Sequence, residues 1–141
     1  MKTIFQTSAG GIVYKKVNNE LFWLVCQHSQ HKGWVFPKGL VGDHTPNEPM
    51  DQAALREVEE EGGINAKIIN KKPIKTFYQY VWQGDLIKKT VYYFLMEYIS
   101  GDPKNHDWEM DDAKFLKTDE VKKILTYPSD KQVFEKILKM I

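Results

Sequence analysis

The sequence predicts a mixed α+β layered domain. Short apolar runs rich in β-branched and aromatic residues fill the first third and return between Ile64 and Ile99. One helical pattern, Glu48 to Gly62, separates these regions, and two short helical patterns close the chain. Strands, helix, strands, then helices is the order of a layered α+β domain. Its 141 residues are read as a single domain, residues 1–141, with no repeat, low-complexity tract or dividing linker.

Ser8 to Tyr14 carries Gly10 and Gly11, which predict a bulge or a close backbone approach instead of a regular core strand. Leu21 to Cys26 is a short apolar strand, and Asn18-Asn19 before it is a hairpin turn. Trp34-Val35-Phe36 ends at Pro37, which has no N–H to give a ladder. Lys38 to Asn47 is dense in Gly, Pro, Asn and Asp and reads as a loop. In the helix that follows, Pro49 suits the first turn, and Asn47 or Glu48 is the expected N-cap. Ala53, Ala54, Leu55 and Val58 form its apolar face, and Gly62-Gly63 stops it. Ile64 to Ile74 and Lys75 to Trp82 read as strands, Gln83-Gly84-Asp85 as a turn, and Lys88 to Ile99 as the returning strand. Ala113 to Leu116 is the expected last strand, before helices at Thr118 to Leu125 and Ser129 to Met140.

Composition narrows the function. Lys plus Arg number 20 and Asp plus Glu 19, a net charge of +1. That balance gives no global pull toward nucleic acid or an anionic membrane. The opening MKTIFQTSAGG lacks the apolar core of a signal peptide, and no apolar run is long enough to span a bilayer. The single cysteine, Cys26, favours a reducing compartment, so a cytoplasmic location is expected, with Cys26 a buried core thiol. His44 and His106 carry no zinc-site spacing.

One stretch carries chemistry: Arg56-Glu57-Val58-Glu59-Glu60-Glu61. Four glutamates in the second half of a short helix oppose its dipole. Glu57, Glu60 and Glu61 fall on one face, and their repulsion costs a few tenths of a kcal/mol per pair. A hard divalent cation held by carboxylate oxygens removes that cost. The alternative is a solvated acidic helix face, and the context of the stretch decides between them. Gly42, Glu48, Arg56-Glu57, Glu60-Glu61 and Gly63-Ile64 stand at the spacings of the Nudix box, which spans 23 residues here. Ser8-Ala9-Gly10-Gly11 and Trp34-Val35-Phe36-Pro37-Lys38-Gly39 are similar to the family's flanking segments, and the chain resembles a Nudix hydrolase over nearly its whole length.

The resemblance implies an α/β/α sandwich around a mixed sheet and a Mg²⁺-dependent enzyme, with Mn²⁺ as an alternative, that hydrolyses a nucleoside diphosphate linked to another group. Glu57, Glu60 and Glu61 would be metal ligands, with one of them serving the attacking water, and Arg56 would hold a glutamate carboxylate. The Gly39 carbonyl would complete the metal shell and Lys38 would sit by the phosphates. Gly39 lies nine positions before Glu48, where most members have six, and Gly42 stands at six. Either glycine fills the box role.

Lys89 to Met96 and the tail from Trp108 to the last helix are similar to small bacterial diadenosine tetraphosphate hydrolases. That likeness implies Glu109 as a further metal ligand, with Asp111 or Asp112 behind it. Phe77, Tyr78, Tyr80, Trp82, Tyr92, Tyr93 and Phe94 cluster on two strands, most of them as expected core. Tyr78, Tyr80 and Trp82 share a face by period two and fit a base-stacking role. Lys88 or Lys89 joins Lys38 as a phosphate candidate, while His28, His31 and Lys32 read as exposed loop residues.

The expected substrate is diadenosine tetraphosphate, cleaved to ATP and AMP by a monomer or homodimer. A nucleoside triphosphate pyrophosphatase, an RNA 5′ pyrophosphohydrolase and a non-catalytic nucleotide sensor are the alternatives.

Overall fold

Two tight turns at positive φ build the sheet. Asn18 and Asn19, at φ 51° and 65°, join β1 (Thr3–Val17) to β2 (Glu20–His28) as an antiparallel hairpin. Gln83 and Gly84, at φ 49° and 81°, do the same for β6 (Ile74–Trp82) and β7 (Asp85–Gly101). Between the hairpins run β3 (Trp34–Val35), β4 (Lys38–Leu40), α1 (Met50–Gly62) and β5 (Ile64–Ile68). A 3-10 turn at Pro103–Asn105, β8 (Met110–Lys117), α2 (Thr118–Ile124) and α3 (Pro128–Leu138) complete the chain. This computed structural model describes residues 1–42 and 45–141, so His44 and Asp43 lie outside the described residues.

Eight strands make one mixed sheet among the described residues, ordered β3-β2-β1-β7-β5, with β4 on β1, β6 on β7 and β8 on β2. Its spine is the parallel pair β1–β7, in register from Thr3↔Leu86 to Tyr14↔Glu97. Period-two alternation divides the core. One face buries Ala9, Val13, Leu24, Phe94 and Met96 against Ala53, Ala54 and Val58 of α1. The other buries Ile12, Trp23, Val25, Tyr93 and Leu95 against Val121, Val133, Phe134 and Ile137 of α2 and α3. Helices on both faces of a mixed sheet make the α/β/α sandwich that the resemblance implied.

Several expectations change. Ser8 to Tyr14 lies within a long regular strand, and its glycines serve close approach: a Cβ on Gly11 would stand 2.6 Å from Val58 Cγ2. The helix N-cap is Pro49, extended at φ −63° and ψ 145°, with no side-chain cap. Glu48 turns its carboxylate to Arg56 instead. Gly63 stops the helix as expected, at φ 73° with its N–H on the Glu59 carbonyl. The segment Ile64 to Ile74 is not one strand, because β5 ends at Ile68 and β6 begins at Ile74. No helix among the described residues is long and apolar enough to cross a membrane.

Candidate active site

The site is built on the C-terminal half of α1, where Ala54 and Val58 anchor the helix to the sheet and turn its acidic residues toward β4. Glu57 and Glu61 are each only 5% exposed, which rules out a solvated acidic face. Arg56 gathers the carboxylates. Its Nε and Nη2 donate to the two oxygens of Glu48 at 2.9 and 3.0 Å, a bidentate pair, and its Nη1 donates to Glu57 at 2.9 Å and Glu60 at 3.2 Å. The Glu48 contact ties the loop before the helix to the helix itself. Gly42 adds an N–H to Glu48 Oε1 at 3.4 Å.

The strand β4 closes the site from the other side. Lys38 donates its backbone N–H to Glu61 Oε1 at 3.1 Å. A Cβ on Gly39 would stand 2.1 Å from Glu57 Oε2, so the Glu57 carboxylate occupies the space that any other residue would fill. The two candidate box glycines thus do different things: Gly39 seats Glu57, and Gly42 holds Glu48.

The balance of charge is negative. Glu48, Glu57, Glu60 and Glu61 share Arg56 and Lys38, and Glu109 adds its repulsion to both Glu57 and Glu61. Burial is the main cause that raises Glu57 to about 7, and burial followed by repulsion from Glu57 pushes Glu61 well above its ordinary value. Such a cluster is chemically suited to a hard divalent cation. As the side chains stand, with Glu57 and Glu60 drawn onto Arg56, no three ligand-type side chains among the described residues form a closed metal cluster.

Glu109 reaches the site through Asp107. The Glu109 N–H donates to Asp107 Oδ1 at 3.1 Å, and the Asp107 N–H donates to the Glu60 carbonyl at 2.8 Å. Of the next candidates after Glu109, Asp111 pairs with Lys32 and Asp112 lies 3.9 Å from Lys114. Cys26 is a fully buried thiol whose Sγ donates to the Glu61 carbonyl at 3.6 Å.

On the far side of β4 the cleft changes from acidic to basic and aromatic. Lys38 faces Tyr78, Tyr127, Asp130 and Glu61 there. Lys89 is half-buried in the same region, and burial, then the nearby Lys38 charge, lowers its pKa. Lys88 alternates to the opposite face, where its ammonium lies 6.0 Å from the Phe5 ring. Tyr78 and Tyr80 stack with centroids 6.0 Å apart and an interplanar angle of 25°. The aromatic cluster is less core than expected. Tyr93 and Phe94 are buried, but Phe77 is 68% exposed, Trp82 57% and Tyr80 38%, on a strand whose one ladder partner among the described residues is β7.

The structure adds residues that sequence reasoning left in loops. His28 and His31 stack at 4.2 Å, and the Tyr127 hydroxyl lies 3.0 Å from His31 Nδ1. Burial is the first cause of the lowered pKa of both histidines, so they are held neutral more strongly than free imidazoles. Thr126, paired through both backbone and side chain with Trp34, fixes Tyr127 in place. Ninety-six positions separate Tyr127 from His31, and no local pattern reveals the contact.

Comparison with known proteins places this geometry in a family. The model of the NUDIX domain matches residues 5–137. A Mycobacterium tuberculosis protein named as mutator protein MutT4 is 28% identical over 141 residues, covering 96% of this chain and 55% of the relative. The chain therefore spans about half the length of that curated relative. The crystal structure of a C. elegans Ap4A hydrolase binary complex is similar at a TM-score of 0.74 and 25% identity, over 96% of each chain. The NUDIX domain of Shewanella oneidensis NrtR, complexed with ADP ribose, shares the fold at a TM-score of 0.71 and 17% identity, over 96% of this chain and 87% of that one. The chain belongs to the Nudix family.

Proposed function

We propose that this chain is a Mg²⁺-dependent dinucleoside polyphosphate hydrolase that converts diadenosine tetraphosphate to ATP and AMP. One observation carries the reading: Lys38 joins two unlike halves of one cleft, with its amide on Glu61 of the acidic helix and its side chain among Tyr78, Tyr127 and Lys89. A long polyphosphate with aromatic ends suits such a cleft. The C. elegans Ap4A hydrolase, alike over nearly the whole chain, supports the same substrate.

Glu57, Glu60, Glu61, the Gly39 carbonyl and Glu109 would hold the cation. When bound, it supplies charge neutralisation along the phosphates and acidifies a water. The residues of the chain do the rest. Arg56 keeps the carboxylates fanned and oriented. Glu57, at about 7 before a cation binds, and Glu60, the more exposed, are the two candidates for the base that takes the proton of the attacking water. Lys38 and Lys89 bind phosphate oxygens, and Tyr78 with Tyr80 offers a face for a base.

A second reading keeps the chemistry and changes the substrate to nucleoside triphosphates. Chromatographic product analysis with Mg²⁺ separates the two. The panel holds diadenosine tetraphosphate, ordinary and oxidised deoxynucleoside triphosphates, a sugar nucleotide and a 5′-triphosphorylated RNA. ATP plus AMP from the dinucleotide, at the highest kcat/KM, is the expected result. Monophosphate plus pyrophosphate, formed preferentially from triphosphates, overturns it, and no turnover at all leaves a nucleotide-binding sensor.

A further inference from the structure

Asp130 is a buried carboxylate that the reaction described above does not use. It is 4% exposed and lies in the first turn of α3. Tyr93, also fully buried, donates its hydroxyl to Asp130 Oδ1 at 3.2 Å. A carboxylate is costly to hide, and one neutral hydrogen bond does not offset the desolvation of its charge.

The strand register brings a cation to this pair. Lys38 pairs with Gly10 across β4–β1, and Gly10 pairs with Tyr93 across β1–β7, so the three residues form one row on one face of the sheet. Gly10 lets β4 pack tightly on the middle of the row: a Cβ there would stand 2.2 Å from the Pro37 carbonyl oxygen and 2.7 Å from the Lys38 Cβ. The groups near enough to feel the Lys38 charge include Glu61 from α1, Tyr78 from β6, Lys89 from β7, Cys26 and His28 from β2, His31 after it, Tyr127 from the segment before α3, and Asp130 from α3. Tyrosines are neutral near pH 7, so the carboxyl groups among these are Glu61 and Asp130, and the Lys38 charge and the Tyr93 hydroxyl both favour the charged form of Asp130 against the cost of its burial. Glu61 belongs to the carboxylate set on α1, which leaves Asp130 as the counter-charge on the phosphate side of the cleft.

We propose that Asp130 is a positioning residue: held by Tyr93 at the end of this row, it draws the Lys38 ammonium to the α3 face of the sheet, where that ammonium meets the substrate polyphosphate. The proposal rests on the reading of Lys38 as a phosphate contact. Without Asp130 the ammonium is left with Glu61 and swings toward the acidic helix, away from the phosphates.

A double-mutant cycle on the full chain tests this. The affinity for inorganic tripolyphosphate, with Mg²⁺ present, is measured by calorimetry for the wild type, Asp130→Asn, Lys38→Met and the double variant. Asp130→Asn is expected to weaken binding about fivefold when Lys38 is present and to have no effect in the Lys38→Met background. In turnover it raises KM by a similar factor and changes kcat less than about twofold. Tyr93→Phe, which keeps the ring and removes the hydroxyl, should act in the same direction and also fall silent without Lys38. It decides the matter if Asp130→Asn does not fold. Equal effects in both backgrounds, or no effect in either, overturn the role of Asp130 alone. A wild type with no affinity for tripolyphosphate overturns the reading of Lys38 as well, and the product panel then stands or falls on its own.

Discussion

Glu57 rests its carboxylate directly against the backbone of Gly39, leaving 2.1 Å between Oε2 and the position a Cβ would take. This contact locks α1 to β4 at the point where the expected cation would sit. Gly39→Ala should therefore push Glu57 out of place while sparing the sheet, since Gly39 is not among the positive-φ glycines. We expect kcat/KM to fall by about a hundredfold, in line with the effect of small misplacements on catalysis, with the circular dichroism spectrum unchanged. Steady-state kinetics at saturating Mg²⁺ checks it, and wild-type activity in the alanine variant would show that the seat is dispensable.

The raised pKa of Glu57 makes a prediction about stability in the absence of metal. A carboxyl that titrates at about 7 in the folded chain, above its ordinary 4.5, favours folding below its unfolded pKa and loses that contribution as pH rises through 7. His28 and His31, whose folded pKa values are lowered, act in the opposite sense and lose their contribution as pH falls below the histidine range. The Glu57 contribution is lost between its ordinary 4.5 and about 7. The Tm of the chelator-treated protein should decline across that window, Glu57→Gln should flatten the decline, and Mg²⁺ should reverse it.

Arg56 is matched to Glu48 by geometry as well as by charge. Arg56→Lys keeps the cation and loses the two-pronged contact to Glu48 along with the reach to Glu57 and Glu60. Activity should drop at least about tenfold even though the charge is unchanged. Arg56→Ala removes the bidentate partner of a nearly buried Glu48 and should cost roughly 3 kcal/mol in urea unfolding. If lysine restored full activity, a bare positive charge would suffice and the fork would be irrelevant.

The two stacked tyrosines should separate in their effects. Tyr80 is the more exposed, so Tyr80→Ala should raise KM about tenfold with little loss of stability if the ring stacks on a base. Tyr78 packs on the cluster beneath α3, so Tyr78→Ala should lower stability as well. Urea unfolding beside the kinetics distinguishes them, and an unchanged KM in Tyr80→Ala would remove it from the binding surface.

The acidic helix was legible because its signal is local. Glu57, Glu60 and Glu61 share a face by helical period, and the burial of Glu57 and Glu61 agrees with a functional arrangement instead of a solvated stripe. The strands and hairpin turns were legible for the same reason, from Asn18-Asn19 and Gln83-Gly84. What the sequence hid was long-range. The contact of Tyr127 with His31, the row of Lys38, Gly10 and Tyr93, and the hydrogen bond from the Glu109 N–H to Asp107 all depend on strand register and loop packing. The exposure of β6 was also hidden: an aromatic-rich strand at a sheet edge reads in sequence like a core strand. The Pro49 cap escaped because Glu48, a plausible cap by type, is claimed by Arg56 eight residues on.

The central claim is that the carboxylates of α1 act through a divalent cation on a phosphoanhydride. Glu60→Gln tests it most directly, because the variant is isosteric, removes one charge and lies on a partly exposed side chain whose loss should leave the fold intact. Turnover of diadenosine tetraphosphate with Mg²⁺, with chelator and by the variant is the measurement. The account predicts turnover by the wild type, none with chelator, and a loss of at least about a hundredfold in Glu60→Gln at unchanged Tm. Near-wild-type turnover by Glu60→Gln, or turnover indifferent to chelator, would contradict it.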